Sequence, residues 1–126
     1  MTSPTSPLEK KILYTRLFAF YGPFLTETQQ KMVLMSLEED CSLTEIASLF
    51  GVTKQSVHDT LSKAEKSMLE HENILHLYKN YAKQSTAICA CLQKLESSSA
   101  KNCTEIQDVI NRLHSILNDL EEDYGL

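Results

Sequence analysis

Between Thr53 and Lys66 the chain reads TKQSVHDTLSKAEK, and this stretch holds the side chains best suited to grip another molecule. Gln55 offers a donor and an acceptor together, which suits an adenine edge. Lys54 suits a guanine edge or a phosphate. On an exposed helix opening at Thr53, the early residues Lys54, Gln55, Ser56 and Asp59 would meet base edges, with Lys63 near a phosphate. Thr53, Lys54, Gln55, Ser56, His58, Asp59 and Lys63 are therefore the candidate nucleic-acid-binding residues.

Other chemistry has less support. His58, His71, His76 and His114 are scattered, and none stands in a nucleophile pattern with a nearby Ser or Cys. The three glycines are isolated, so no phosphate-cradling loop is written in the sequence. Cys89 and Cys91 lie roughly 200° apart on a helix, too far round to ligate one ion together. No His pair completes a zinc pattern with Cys41 or Cys103. The expectation is a non-enzyme with no metal and no cofactor.

The elements that must hold the candidate residues are legible from caps and periodicity. A first helix is expected from Leu8 to Tyr21, with a stripe of Leu13, Leu17, Phe18, Phe20 and Tyr21, stopped by Gly22 and Pro23. Thr26 with Gln29 opens a second helix carrying Met32, Val33, Met35 and Leu37. Ser42 with Glu45 opens a third, whose inward side is expected to hold Ile46, Ala47, Leu49 and Phe50. Gly51 ends it, Val52 tucks in after the turn, and Thr53 caps the fourth helix. Val57, Leu61 and Ala64 then face inward, leaving Lys54, Gln55, Ser56, His58, Asp59, Ser62, Lys63 and Lys66 outward. A small residue at the crossing, a turn glycine and locking apolar residues are what a helix-turn-helix requires.

Beyond this, Ile74, Tyr78, Tyr81, Ser85, Ile88, Leu92 and Leu95 follow a heptad seam. The polar loop SSSAKN interrupts it. Thr104 with Gln107 then restarts a helix whose seam is Ile106, Val109, Leu113, Ile116 and Leu120. Such a pair makes an antiparallel hairpin. The fold class expected is all-α. Residues 8–70 form a helix-turn-helix domain of three or four helices, and residues 72–121 form a long C-terminal hairpin. Two seams expose more apolar surface than one hairpin buries, so the hairpin is expected to make a homodimer.

The chain has 126 residues and a formal net charge of −5, which disfavours a protein that coats nucleic acid non-specifically. Residues 53–66 nevertheless carry three Lys against one Asp and one Glu. No uncharged apolar run is long enough to span a membrane. The start, MTSPTSPLEKK, reads as a polar leader rather than a secretion signal, and a cytoplasmic location is expected.

The segments LFAFYGPFLTETQQ and CSLTEIASLFGVTKQSVHDTLSKAEKSML resemble the YlxM-type helix-turn-helix proteins of bacteria. The matching positions are Phe20, Tyr21, Gly22, Leu25, Thr26, Gln30, Ser42, Leu43, Glu45, Ile46, Ala47, Val52, Gln55, Val57 and Asp59. The same helix pair is similar to the promoter-reading fourth region of sigma factors. Where that family usually shows Arg this chain has Lys54, and His58 stands where an aromatic is common. From about Ala82 onward no pattern matches. The resemblance implies a regulatory nucleic-acid-binding protein, of DNA or RNA, connected with the signal recognition particle or its GTPase. The competing reading is a helical protein-protein adaptor that keeps the reader shape without binding nucleic acid.

Overall fold

The computed structural model describes residues 6–124. Residues 1–5, the beginning of the polar leader, and 125–126, the end of EEDYGL, lie outside the described residues. The described residues are all-α. In chain order the helices are α1 (Pro7–Tyr21), α2 (Glu27–Leu37), α3 (Leu43–Phe50), α4 (Lys54–Leu75), α5 (Leu77–Glu96) and α6 (Thr104–Tyr124), with a 3₁₀ turn over Gly22–Phe24. They divide into two compact units, one ending at His76 and the other beginning at Leu77.

Local chemistry sets most helix starts in the first unit. Ser6 Oγ accepts from the Glu9 N–H ahead of Pro7, which loses nothing by lacking a donor in the first turn. Thr26 with Gln29, and Ser42 with Glu45, make complete capping boxes. Gly22 stops α1 where a Cβ would stand 3.2 Å from the Phe18 ring. Its carbonyl and that of Leu25 accept from Gln30 Nε2 at 2.8 and 3.2 Å, pinning the turn to α2.

The first unit closes a core of its own. Leu17, Tyr21, Ile46, Val57, Ala64 and Met68 are fully buried, and Met32 and Val33 nearly so. Tyr14, outside the expected stripe, is buried, whereas Leu13 and Phe18 are only half-buried. Tyr21 donates from its hydroxyl to Glu72 Oε1 at 2.5 Å, joining α1 to the last turns of α4 across 51 residues. Glu72 is a buried carboxyl that no cap or period marks as an inward position. His71, beside it, stacks on Phe24 with ring centroids 4.9 Å apart. His71 Nδ1 lies 2.7 Å from the Ser67 carbonyl, which can only accept, so that nitrogen carries the proton.

One helix boundary differs from expectation. The seam starting at Ile74 does not run through a single helix. α4 continues to Leu75, His76 takes the left-handed conformation (φ 54, ψ 31), and α5 starts at Leu77. Ile74 therefore belongs to α4, where it is 77% exposed. No Gly or Pro marks the break, and a histidine in this conformation carries the steric cost that glycine avoids.

In the second unit α5 and α6 are antiparallel. Glu96 Oε1 lies 2.9 Å from His114 Nε2, and Gln107 bonds the Lys101 carbonyl, so Thr104 starts the helix without the expected box partner. Leu92 and Ile110 are buried. The expected α6 seam is rotated by one step. Ile110 and the half-buried Leu117 turn inward, while Val109 and Ile116 remain 43% and 46% exposed.

Candidate nucleic-acid interface

The crossing of α3 and α4 rests on Ile46, Ala47 and Val57, clustered with Met32 and flanked by Leu43, Phe50 and Leu61. Ala47 supplies the short side chain that lets the helices approach. Gly51 follows in the left-handed conformation at φ 65, ψ 35, and the Val52 N–H returns to the Ala47 carbonyl at 3.1 Å. Space around Gly51 is open, so glycine is needed there for its backbone angle and not for lack of room. Thr53 Oγ1 then accepts from the Ser56 N–H at 3.0 Å and starts α4. Every orphan donor satisfied in this way fixes the direction in which α4 leaves the turn.

Of the candidate residues, Thr53, Lys54, Gln55, His58, Asp59 and Lys63 are exposed and Ser56 is half-buried. Thr53 and Ser56 work as the cap. Gln55, His58 and Asp59 are brought together. Gln55 Nε2 donates to Asp59 Oδ1 at 2.9 Å, and His58 Nδ1 lies 3.7 Å from the same oxygen. Lys54 and Lys63 are not brought together. Nine helical steps separate them, roughly half a turn in azimuth and about 13 Å along the axis. They flank the face from opposite sides, an arrangement suited to two phosphate strands rather than to neighbouring bases.

The centre line of the outward face is Gln55, Asp59, Ser62 and Lys66, spaced by four, three and four residues. Lys66 was not among the candidates, yet the same period that buries Val57 and Ala64 puts it opposite them. On the inner side, burial raises the Glu65 carboxyl above the usual carboxylate range, against the opposing pull of Lys10 and His58.

Two apolar side chains of α3 and the turn remain exposed. Leu49 is 69% exposed and Val52 41% exposed, although both were expected to turn inward. Leu43, Ile46, Ala47 and Phe50 already fill the inner side of α3. Leu49 falls roughly 100° from the middle of that arc, and nothing in the turn covers Val52. Among the described residues no helix is long and apolar enough to cross a membrane.

A family model described as "Putative helix-turn-helix protein, YlxM / p13 like" matches residues 8–109. Among similar proteins, a UPF0122 protein of Lacticaseibacillus casei is 41% identical over 81 residues, covering 64% of this chain and 72% of its own length. A UPF0122 protein of Streptococcus gordonii is 33% identical over 111 residues, 88% of this chain and 96% of its own. The UPF0122 protein YofM of Lactococcus lactis is 32% identical over 117 residues, 93% of this chain and 98% of its own.

Proposed function

We propose, from the premise that this chain belongs to the YlxM/p13-like helix-turn-helix family, that it is a regulatory nucleic-acid-binding protein of the cytoplasm. The observation that carries this reading is the first half of α4. It leaves a glycine-ended turn at a fixed angle and shows a polar outer face flanked by Lys54 and Lys63. The protein acts as a homodimer through its C-terminal unit.

The charge on this face narrows the target. Asp59 occupies Gln55 and stands near His58, and three lysines neutralise few phosphates. A duplex held by phosphates alone would be held weakly. A structured RNA offered together with a protein surface suits the face better, and Leu49 and Val52 supply an apolar element for such a surface. The signal recognition particle, or its GTPase, is a target of this kind and is the one the family resemblance implies. The test is a pair of titrations at about 150 mM salt, where weak phosphate contacts are largely screened. The assembled particle should bind more tightly than random duplex. K54A/Q55A/K63A should lose binding with an unchanged circular-dichroism spectrum, and D59A, which frees Gln55 and removes a negative charge, should tighten it. Equal affinity for both ligands would reduce the protein to a weak general binder.

The exposed Leu49 and Val52 also favour a second reading, a protein-protein adaptor. Capture of partners from lysate before and after nuclease treatment separates the two. Retention of every partner after nuclease, together with loss on L49D, would favour the adaptor.

A further inference from the structure

We propose that the homodimer forms through the uncovered side of α6, packed antiparallel on the same face of a second copy, in a register fixed by Arg112 and Asp119. This rests on the homodimeric reading above and names its interface. At 100° per residue the apolar residues of α6 occupy an arc of roughly 120°, from Ile116 and Val109 through Leu120, Leu113, Ile106 and Leu117 to Ile110. A helix that pairs with one neighbour needs only a narrow seam. An arc this wide belongs to a helix with two neighbours. α5 takes the Ile110 side, where His114 meets Glu96. Val109 and Ile116 remain open one heptad apart, with the half-buried Leu113 and Leu120 beside them.

Within this unit the chemistry of the open stripe points to a second α6. Among the described residues, the large hydrophobics exposed in the unit are Val109 and Ile116, and α5 exposes none. Only another α6 therefore brings an equal stripe from the same unit. The polar border of the stripe is Glu105, Arg112 and Asp119, at heptad spacing and alternating in sign. An antiparallel copy can be set against this border in three ways that make more than one pair of its residues. One centres Arg112 on Arg112 of the copy and Glu105 on Asp119, placing like charges together. A second pairs Glu105 with Arg112 but overlaps only the Ile106 end. The third places Arg112 against Asp119 of the copy, twice by symmetry. It stacks Val109 on Leu120, Leu113 on Ile116 and the two reciprocal layers. It alone satisfies both the charge and the apolar stripe. Arg112 Nε also holds Asp108 of its own chain at 3.0 Å, an exposed pair that leaves the rest of the guanidinium available.

The experiment uses the full chain in sedimentation equilibrium. Wild type should dimerise, and I116E should be monomeric with an unchanged circular-dichroism spectrum, since this residue lies outside the α5 contact. R112D and D119R should each weaken self-association by about tenfold or more, as like charges are forced together. Mixing R112D with D119R should restore a dimer, because every Arg then faces an Asp across the interface. A monomeric wild type would overturn both this interface and the homodimeric reading. A wild-type dimer indifferent to I116E, or one that mixing fails to restore, would overturn the interface and leave the homodimer standing. Neither result touches nucleic-acid binding by α4, which is read separately by titration.

Discussion

The two units solve the burial problem differently. From α1 to α4 the chain buries Leu17, Tyr21, Ile46, Val57, Ala64 and Met68 completely, and the helices that hold them are capped by their own side chains. In the C-terminal hairpin only Leu92 and Ile110 reach comparable burial among the described residues. Several helices of unlike direction can surround a residue; two helices side by side cover one face of each other and leave the rest to solvent. The first unit is thus finished as a fold and shows the polar outer face of α4 on its surface. The second has apolar surface still to cover. The same contrast appears in charge. α6 carries six acidic residues and one basic residue, while the chain as a whole carries seventeen and twelve. The remainder is therefore balanced at eleven of each, and the net negative charge belongs to the hairpin's last helix. An acidic total says little against a nucleic-acid contact by α4 when the acid is concentrated in a helix of the other unit.

The largest effect that would sharpen the contrast is a core truncation. Ile46→Ala should cost about 2–5 kcal/mol in urea unfolding, whereas Val109→Ala should cost well under about 1 kcal/mol in dilute protein. Comparable costs at both positions would break the distinction between a closed core and an open one. Salt is the next lever. Nucleic-acid affinity should fall between about 0.05 and 0.5 M salt, while self-association through two acidic α6 helices should rise as their repulsion is screened. Parallel trends would indicate that the acidic helix is not at the interface.

Smaller effects test the devices that finish the first unit. Tyr21→Phe removes the bond from α1 to the buried Glu72 and should destabilise by about 1.5–3 kcal/mol. A neutral result would mean that the bond does not tie α1 to α4. Gly51→Ala forces a Cβ into the left-handed conformation and should cost about 1 kcal/mol without lost contacts, measurable as a lower thermal midpoint. The smallest effect is pH-dependent. Burial raises the Glu65 carboxyl, so the folded state holds that proton more tightly than the unfolded chain does. Stability from this group is present below the usual carboxylate range and is lost as pH rises through the raised value. Glu65→Gln should therefore stabilise slightly at pH 7 and lose that advantage in acid. A penalty at pH 7 would show that pairing with Lys10 outweighs burial.

Local chemistry made most of the architecture readable. The boxes of Thr26 with Gln29 and Ser42 with Glu45, the cap at Thr53 and the left-handed Gly51 act within four residues, so their residue types suffice to place α2, α3 and the start of α4. The candidate face was legible for the same reason. Once α4 starts at Lys54, the period that buries Val57 and Ala64 dictates what remains outside, although the half-turn between Lys54 and Lys63 separates residues that lie in one short span of sequence. Tertiary structure decided the rest. Val109 and Ile110 are adjacent and equally apolar, and which one is buried depends on where α5 lies across α6. Glu72 is inside because Tyr21, 51 residues away, meets it. Leu49 is outside because its neighbours on α3 already fill the space against α4. Caps and turns are settled by neighbours along the chain, whereas the choice among equivalent apolar positions is settled by neighbours in space, and periodicity does not specify the azimuth at which those neighbours arrive.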